Sequence, residues 1–130
     1  MSGKRVLVVD DEVHIVHVVS IKLRNNGYEV IPSEQAKEAF QIACEARPDV
    51  IVADYQMPAM NGIELIEKLR GCEQTSDIPV IMLTARGFAI DEPQKRKLQI
   101  SEVISKPFSP KELLRSIEDV LHEREVAHSG

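Results

Sequence analysis

The segment DVIVADYQMPAMNG, Asp49 to Gly62, decides how this chain is read. Val50 to Ala53 run apolar or small, with no polar alternation, straight into Asp54, and a Met-Pro loop follows. A half-exposed strand alternates; an unbroken apolar run suits a strand covered on both faces, as in a parallel sheet between helices. Such a strand delivers the carboxylate of Asp54 to the carboxyl edge of the sheet.

Working outward, similar short runs recur: RVLVVD (residues 5–10), YEVI (28–31), PVIMLTA (79–85) and EVISK (102–106). Helical patterns fill the intervals. The first is expected from about Val13 to Asn26, stopping at Gly27, where a left-handed residue costs glycine nothing. The second runs from about Glu34 to Arg47, with Ala36, Ala39, Phe40 and Ala43 at core spacing and Pro48 as its stop. The third starts near Gly62, sets Leu65, Ile66 and Leu69 on one face, and ends at Gly71. In FSPKELL, Ser109 can cap, Pro110 takes the first helical position, Glu112 completes a capping box and Phe108 can staple onto Leu113. Leu113, Leu114, Ile117, Val120 and Leu121 form the buried stripe of that last helix. Between Arg86 and Gln99 the pattern is poor; a short helix is expected from Asp91 or Glu92, basic on its outer side, because Pro93 is costly in a helix interior. After Glu123, REVAHSG reads as a frayed tail.

Composition narrows the classes. With 130 residues, 43% hydrophobic and 28% charged, the chain suits one globular domain with a sizeable core. A net charge of −5 argues against direct binding to nucleic acid. No stretch approaches the roughly 20 apolar residues of a membrane span, and the N-terminus has no secretory pattern, so a cytoplasmic protein is expected. Cys44 and Cys72 lie far apart in sequence without metal-ligand or CxxC spacing, and read as free thiols rather than a disulfide or metal pair. Five strands alternating with five helices imply a doubly wound α/β fold, a five-stranded parallel sheet with helices on both faces.

Ligands of such sheets gather at the carboxyl ends of the strands. Asp10, Asp11 and Glu12 follow the first strand, Asp54 ends the third, Thr84 the fourth, and Lys106 follows the fifth. These groups are expected to converge on one rim. Clustered carboxylates must take up a proton or a cation. Mg²⁺ suits them, since it accepts one or two carboxylates and keeps waters and phosphate oxygens. Asp54 is a candidate nucleophile for aspartyl-phosphate chemistry, with Lys106 supplying a compensating ammonium and Thr84 a hydroxyl donor for a phosphoryl oxygen.

In this order and spacing, VLVVDDE, DVIVADYQMPAMNGIEL, PVIMLTA and SKPF resemble the response-regulator receiver domain, the phosphoacceptor module of two-component signalling. The resemblance spans nearly the whole chain and implies a receiver domain over residues 4–123 with a C-terminal tail over 124–130. It further implies the flavodoxin-like strand order 2-1-3-4-5, Asp54 as the phosphorylated residue, Asp11 as a direct Mg²⁺ ligand and Asp10 as a ligand through water. The backbone carbonyl of Gln56 would complete the protein ligands. Thr84 and Lys106 would be the switch hydroxyl and the phosphoryl-contacting lysine, and the Lys106–Pro107 peptide would be cis. Gln56 and Arg86 would flank the phosphoryl site.

A signalling role rather than an enzymatic one is implied. The partners would be a histidine kinase or phosphotransfer protein and an unidentified downstream protein, reached by contact or onward phosphotransfer, with the chain a monomer or weak dimer. Two departures bear on output: Val103 stands where the family usually has an aromatic residue, and the helix with Pro93 is followed by LQISEVI rather than an Ala-Gly step. Two other readings share the fold. A haloacid-dehalogenase-type phosphohydrolase would want Asp-x-Asp on the first strand and a covering cap; a flavodoxin-like FMN carrier would want a Ser/Thr/Gly-rich phosphate loop. His14 and His17 read as solvated helix residues, Met57 and Met60 as loop and core fillers, and Gln94–Lys97 as a solvated basic face.

Overall fold

The computed structural model describes residues 3–85 and 90–129, with side chains described as far as Val126. Strands β1 (Arg5–Val9), β2 (Glu29–Ser33), β3 (Val50–Asp54), β4 (Val80–Thr84) and β5 (Ile100–Ser105) alternate with helices α1 (Val13–Arg24), α2 (Ala36–Ala46), α3 (Gly62–Arg70), α4 (Glu92–Lys97) and α5 (Pro110–Ser129). The five strands form one sheet of order β2-β1-β3-β4-β5. All of its pairings are parallel. Order and fold class are those expected from the sequence.

The continuous apolar runs follow from this layering. Successive side chains of a strand point to opposite faces. Val6, Val8, Val52, Ile81 and Leu83 therefore enter one core with Val16, Val19 and Leu23 of α1 and Leu113, Ile117 and Val120 of α5. Leu7, Val9, Ile51, Ala53 and Met82 enter a second core with Ala39 and Ala43 of α2 and Leu65, Ile66 and Leu69 of α3. Every residue of β3 and β4 is buried, which is why neither strand alternates. Met57 is buried and Met60 packs partly against the second core, as filler residues should.

Helix termini were read with uneven success. Helix α1 ends at Arg24, short of Asn26, while Gly27 does take a positive φ of 90°. Helix α2 starts at Ala36 rather than Glu34, and its C-cap Arg47 is left-handed with φ 47°. Helix α3 starts where expected and carries a capping box that the sequence reading passed over: the Asn61 side chain accepts from Glu64 N, and the Glu64 side chain accepts from Asn61 N. Pro93 is accommodated in the first turn of α4, where its missing N–H costs nothing. At the start of α5, Ser109 Oγ accepts from Glu112 N at 3.1 Å, and Phe108 packs on the first core.

Helix α5 does not stop near Glu123 but continues to Ser129. The Arg124 guanidinium in that extension donates to Asp49 O at 2.8 Å, a tertiary bond that local sequence does not reveal. At β5 the missing Ala-Gly step is replaced by two irregularities. Gln99 adopts φ 56°, and the β4–β5 register shifts between Val80 and Ile81. The shift is the one-residue insertion of a bulge, which re-aims the strand that carries Lys106.

Gly62 is the tightest joint between sheet and helix. A Cβ there would lie 2.6 Å from Asp54 O and 2.9 Å from Met82 Sδ. The glycine allows α3 to start directly beneath the end of β3, holding the loop that follows Asp54. Gly62→Ala should destabilise the fold by about 2 kcal/mol, despite the better helix propensity of alanine, through overpacking. A urea midpoint equal to or above that of the native protein would show that the approach is not tight.

Candidate functional site

The carboxyl ends of four strands meet in one acidic rim. After β1, Asp10 is fully buried; its N–H donates to Ser33 O at 3.1 Å, and its Oδ1 accepts from Glu12 N at 2.9 Å. At the end of β3, Asp54 is 5% exposed, and its Oδ1 accepts a long 3.4 Å hydrogen bond from Gln56 N. Thr84, the last residue of β4, is fully buried, and its carbonyl accepts from Lys106 N at 2.7 Å. That backbone bond ties the turn after β5 to the end of β4. The Lys106–Pro107 peptide is cis.

The Lys106 ammonium is the hub. Its Nζ lies 2.8 Å from Glu12 Oε1, 2.9 Å from Asp10 Oδ2 and 3.4 Å from Asp54 Oδ2. Carboxylate oxygens of Asp10, Glu12 and Asp54 all fall within 4.8 Å of one another. One cation thus stands against three potential anions. The approach to Asp10 Oδ2 is ionic rather than a directed hydrogen bond, for that buried oxygen has no aligned donor among the described residues. Thr84 Oγ1 is likewise buried without a partner among them. A buried hydroxyl with unmet bonding capacity is unusual, since burial without a partner is costly.

Electrostatics reflect this imbalance. Burial, then the neighbouring Asp10 charge, push the Asp54 carboxyl up to about 6, against the smaller opposing pull of Lys106 and the Gln56 N–H. Burial works against the Lys106 ammonium, yet its bonds to Glu12 and Asp10 and the charges of Asp10 and Asp54 hold its pKa above the ordinary lysine value. The hydrogen bond from Lys106 holds exposed Glu12 below the usual carboxylate range. Lys106 alone therefore does not hold the Asp54 carboxyl at the ordinary carboxylate value.

Of the residues the sequence sends to the rim, Asp10, Asp54, Thr84 and Lys106 are brought together. Asp11 is exposed and stands outside the three-carboxylate cluster, in which Glu12 takes part instead. Gln56 is exposed, with its backbone N–H turned to Asp54. Arg86 lies outside the described residues. Glu12 had been placed on the rim without a role; its signal was being the third acid of the DDE run, two residues beyond the strand. His14, exposed on α1, sits 4.0 Å from Glu12 Oε2, and His17 is also exposed. Val103 is partly buried against the second core and pairs with Met82 in the sheet.

Comparison with known proteins gives one answer. The family model described as the response regulator receiver domain matches residues 6–118. The phosphate regulon transcriptional regulatory protein PhoB of Pseudomonas aeruginosa is 39% identical over 121 residues, which cover 93% of this chain and 53% of that protein. The alkaline phosphatase synthesis transcriptional regulatory protein PhoP of Bacillus subtilis is 36% identical over 125 residues, covering 96% of this chain and 51% of that protein. The chain thus spans about half the length of these curated relatives. Among solved structures, the chemotaxis protein CheY4 of Vibrio cholerae is similar with a TM-score of 0.84 and 32% identity, covering 92% of this chain and 99% of that one. A CheY-like receiver domain protein of Methanospirillum hungatei aligns with a TM-score of 0.86 and 30% identity, covering 97% and 99%.

The raised Asp54 pKa has a definite sign. In metal-free protein the folded state holds the Asp54 proton more tightly than the unfolded chain, so stability falls as pH rises from the ordinary carboxylate value through about 6. With a chelator present, the melting temperature of Asp54→Asn minus that of native protein should therefore increase between about pH 4 and about pH 7.5, a span that brackets the titration. The Asp54 carboxyl carbon should titrate near 6 by NMR; a flat difference together with a midpoint near 4 would overturn the assignment.

Proposed function

The chain belongs to the response regulator receiver family, and from that premise we propose that it accepts a phosphoryl group on Asp54, with Mg²⁺, from a histidine kinase or phosphotransfer protein. The signal then leaves by protein contact or by onward phosphotransfer. The observation that carries this reading is the Lys106 ammonium poised within 3.4 Å of a buried Asp54 whose negative charge is otherwise poorly compensated.

In the proposed step a carboxylate oxygen of Asp54 attacks phosphorus, the bond from phosphorus to the donor nitrogen breaks, and an acyl phosphate forms. The charge at residue 54 grows to about −1.5 to −2. Lys106 offsets part of it, and Thr84 Oγ1, without a partner among the described residues, has a hydrogen to donate to a phosphoryl oxygen. Low exposure of Asp54 keeps water from the reacting carboxylate.

A hard divalent cation fits the donor set. All the candidate donors are oxygens; Asp10 Oδ2 is buried without an aligned donor, and three carboxylates crowd one point. Asp10 and Asp54 would hold the ion, with Asp11 or Glu12 and the Gln56 carbonyl completing the protein side. When bound, Mg²⁺ supplies charge neutralisation at the carboxylates and at phosphoryl oxygens. Next to the rim, Val18 of α1, about half exposed, lines a groove with Ile15, Lys106, Pro107 and Phe108. A partly apolar groove of this kind suits a docking partner, and its Lys106 side beside Asp54 suits the phosphodonor protein.

Incubation with Mg²⁺ and acetyl phosphate should add one phosphoryl group by intact mass, labile to base and absent in Asp54→Asn. Steady release of phosphate from sugar phosphates, without an accumulated adduct, would instead favour a hydrolase. The metal has its own test. Mg²⁺ at ten times its dissociation constant should add about 1.4 kcal/mol of stability. Comparing Asp11→Asn with Glu12→Gln decides which acid joins Asp10 and Asp54: the ligand's variant loses most of the Mg²⁺-dependent increment, and the other retains it.

A further inference from the structure

The two cysteines, 28 positions apart, meet in the fold with their sulfurs 3.7 Å from each other. Cys44 lies in the last turns of α2, and Cys72 directly follows Gly71, the C-cap of α3. Both are free and half-buried, at the end of the molecule where α2 and α3 run away from the acidic rim. The geometry points to Cys44 and Cys72 as a dithiol that a peroxide oxidises to an intramolecular disulfide joining α2 to the turn after α3. This modification site is separate from the Asp54 rim and goes beyond the phosphoacceptor reading.

Three features carry the assignment. First, the sulfurs are at van der Waals contact, 3.7 Å apart, and must close to the roughly 2.05 Å of a disulfide. Second, the backbone on the Cys72 side is held: Cys72 N donates to Leu69 O at 3.3 Å, and Cys72 O accepts from Thr75 N at 3.0 Å. The fully buried Thr75 hydroxyl fixes the same turn by donating to Leu69 O at 2.6 Å. The pair is thus kept together rather than meeting by chance. Third, the two thiols are unequal. The Gln74 backbone N–H favours the thiolate of Cys72 and holds its pKa below the usual thiol value, while burial, then contact with Cys72, push Cys44 up. A thiol that ionises more readily beside one that keeps its proton is the division of labour between an attacking and a resolving cysteine.

The chemistry balances in two steps. The Cys72 thiolate attacks a peroxide oxygen; the S–O bond forms, the O–O bond breaks, and hydroxide leaves. The Cys44 sulfur then displaces the second oxygen from the Cys72 sulfenic acid. The S–S bond forms, the S–O bond breaks, and that oxygen departs as water with the Cys44 proton. The sulfurs together lose two electrons, which the peroxide takes up.

The test uses the full native chain, reduced, freed of reductant and treated with hydrogen peroxide at low protein concentration. The expected result is loss of two hydrogens from the intact mass, loss of both titratable thiols and a peptide pair joining residues 44 and 72, all reversed by dithiothreitol. The melting temperature of the oxidised chain should rise, since the crosslink restrains the unfolded state. In Cys44→Ser, dimedone should trap a sulfenic acid on Cys72; in Cys72→Ser, Cys44 should stay unmodified at the same dose. Oxygen adducts on Cys72 while Cys44 of the native chain stays a thiol, disulfide-linked dimers in place of the internal bond, or persistence of both thiols would each overturn the proposal. None of these readouts depends on phosphorylation, so failure here leaves the reading of Asp54 standing or falling on its own test.

Discussion

One ammonium among three carboxylates is the constraint on which the rest of the rim depends. A parallel sheet sends the carboxyl ends of its strands to one edge, and this sheet ends β1 and β3 in buried acids. Without Lys106 at contact distance from Asp10 and Asp54, their mutual repulsion in a water-poor site would force a proton onto one of them. The lysine reaches that point because the turn after β5 is bonded to the Thr84 carbonyl and because the β4–β5 bulge re-aims the strand before it. Backbone geometry on one side of the sheet thus sets the charge state of a carboxylate two strands away.

The compensation is incomplete, and its incompleteness is what suits the rim to further charge. A rim fully paired within itself would have no reason to take up a cation or a phosphoryl group. Here Asp10 Oδ2 and Thr84 Oγ1 are buried without aligned partners among the described residues, and Asp54 ionises only near pH 6. Each unmet group matches one part of the proposed chemistry: an oxygen for a metal, a hydroxyl for a phosphoryl oxygen, and a nucleophile whose charge rises as positive charge arrives. Stability given up at the rim is supplied by the two apolar cores on either side of the sheet.

Legibility tracked how local each cause was. The five strands could be read because burial on both faces leaves unbroken apolar runs, and the rim because strand ends map directly onto it. The capping box at Asn61 and Glu64 was equally local and went unread, its signal being plain Asn-x-x-Glu before an apolar run. The extent of α5 was not readable, since Arg124 is held by Asp49, 75 positions away. The same holds for the thiol contact, which exists only once α2 packs on α3. For the metal, the resemblance names Asp11 as the direct ligand and gives Glu12 no role. In the fold the Asp10 carboxylate accepts from Glu12 N, which shapes the turn and brings Glu12 to Lys106 while leaving Asp11 exposed, a contact that sequence alone does not reveal.

Glu12 also separates the resting arrangement from the proposed phosphorylated one. Lys106 gives its shortest contact, 2.8 Å, to a Glu12 side chain that is 46% exposed, and a longer one to Asp54. An exposed carboxylate released from its partner is resolvated by water at little cost, whereas releasing fully buried Asp10 would strand a charge. In the proposed reaction, as charge grows on Asp54, the bond to Glu12 would therefore be the one to give way. Lys106 can move toward residue 54 without leaving Asp10, and the freed Glu12 is left beside His14 on the apolar-edged face of α1. In the proposed reaction this rearrangement would be driven where the charge changes, at the lysine, and not at position 103, where Val103 packs against the second core.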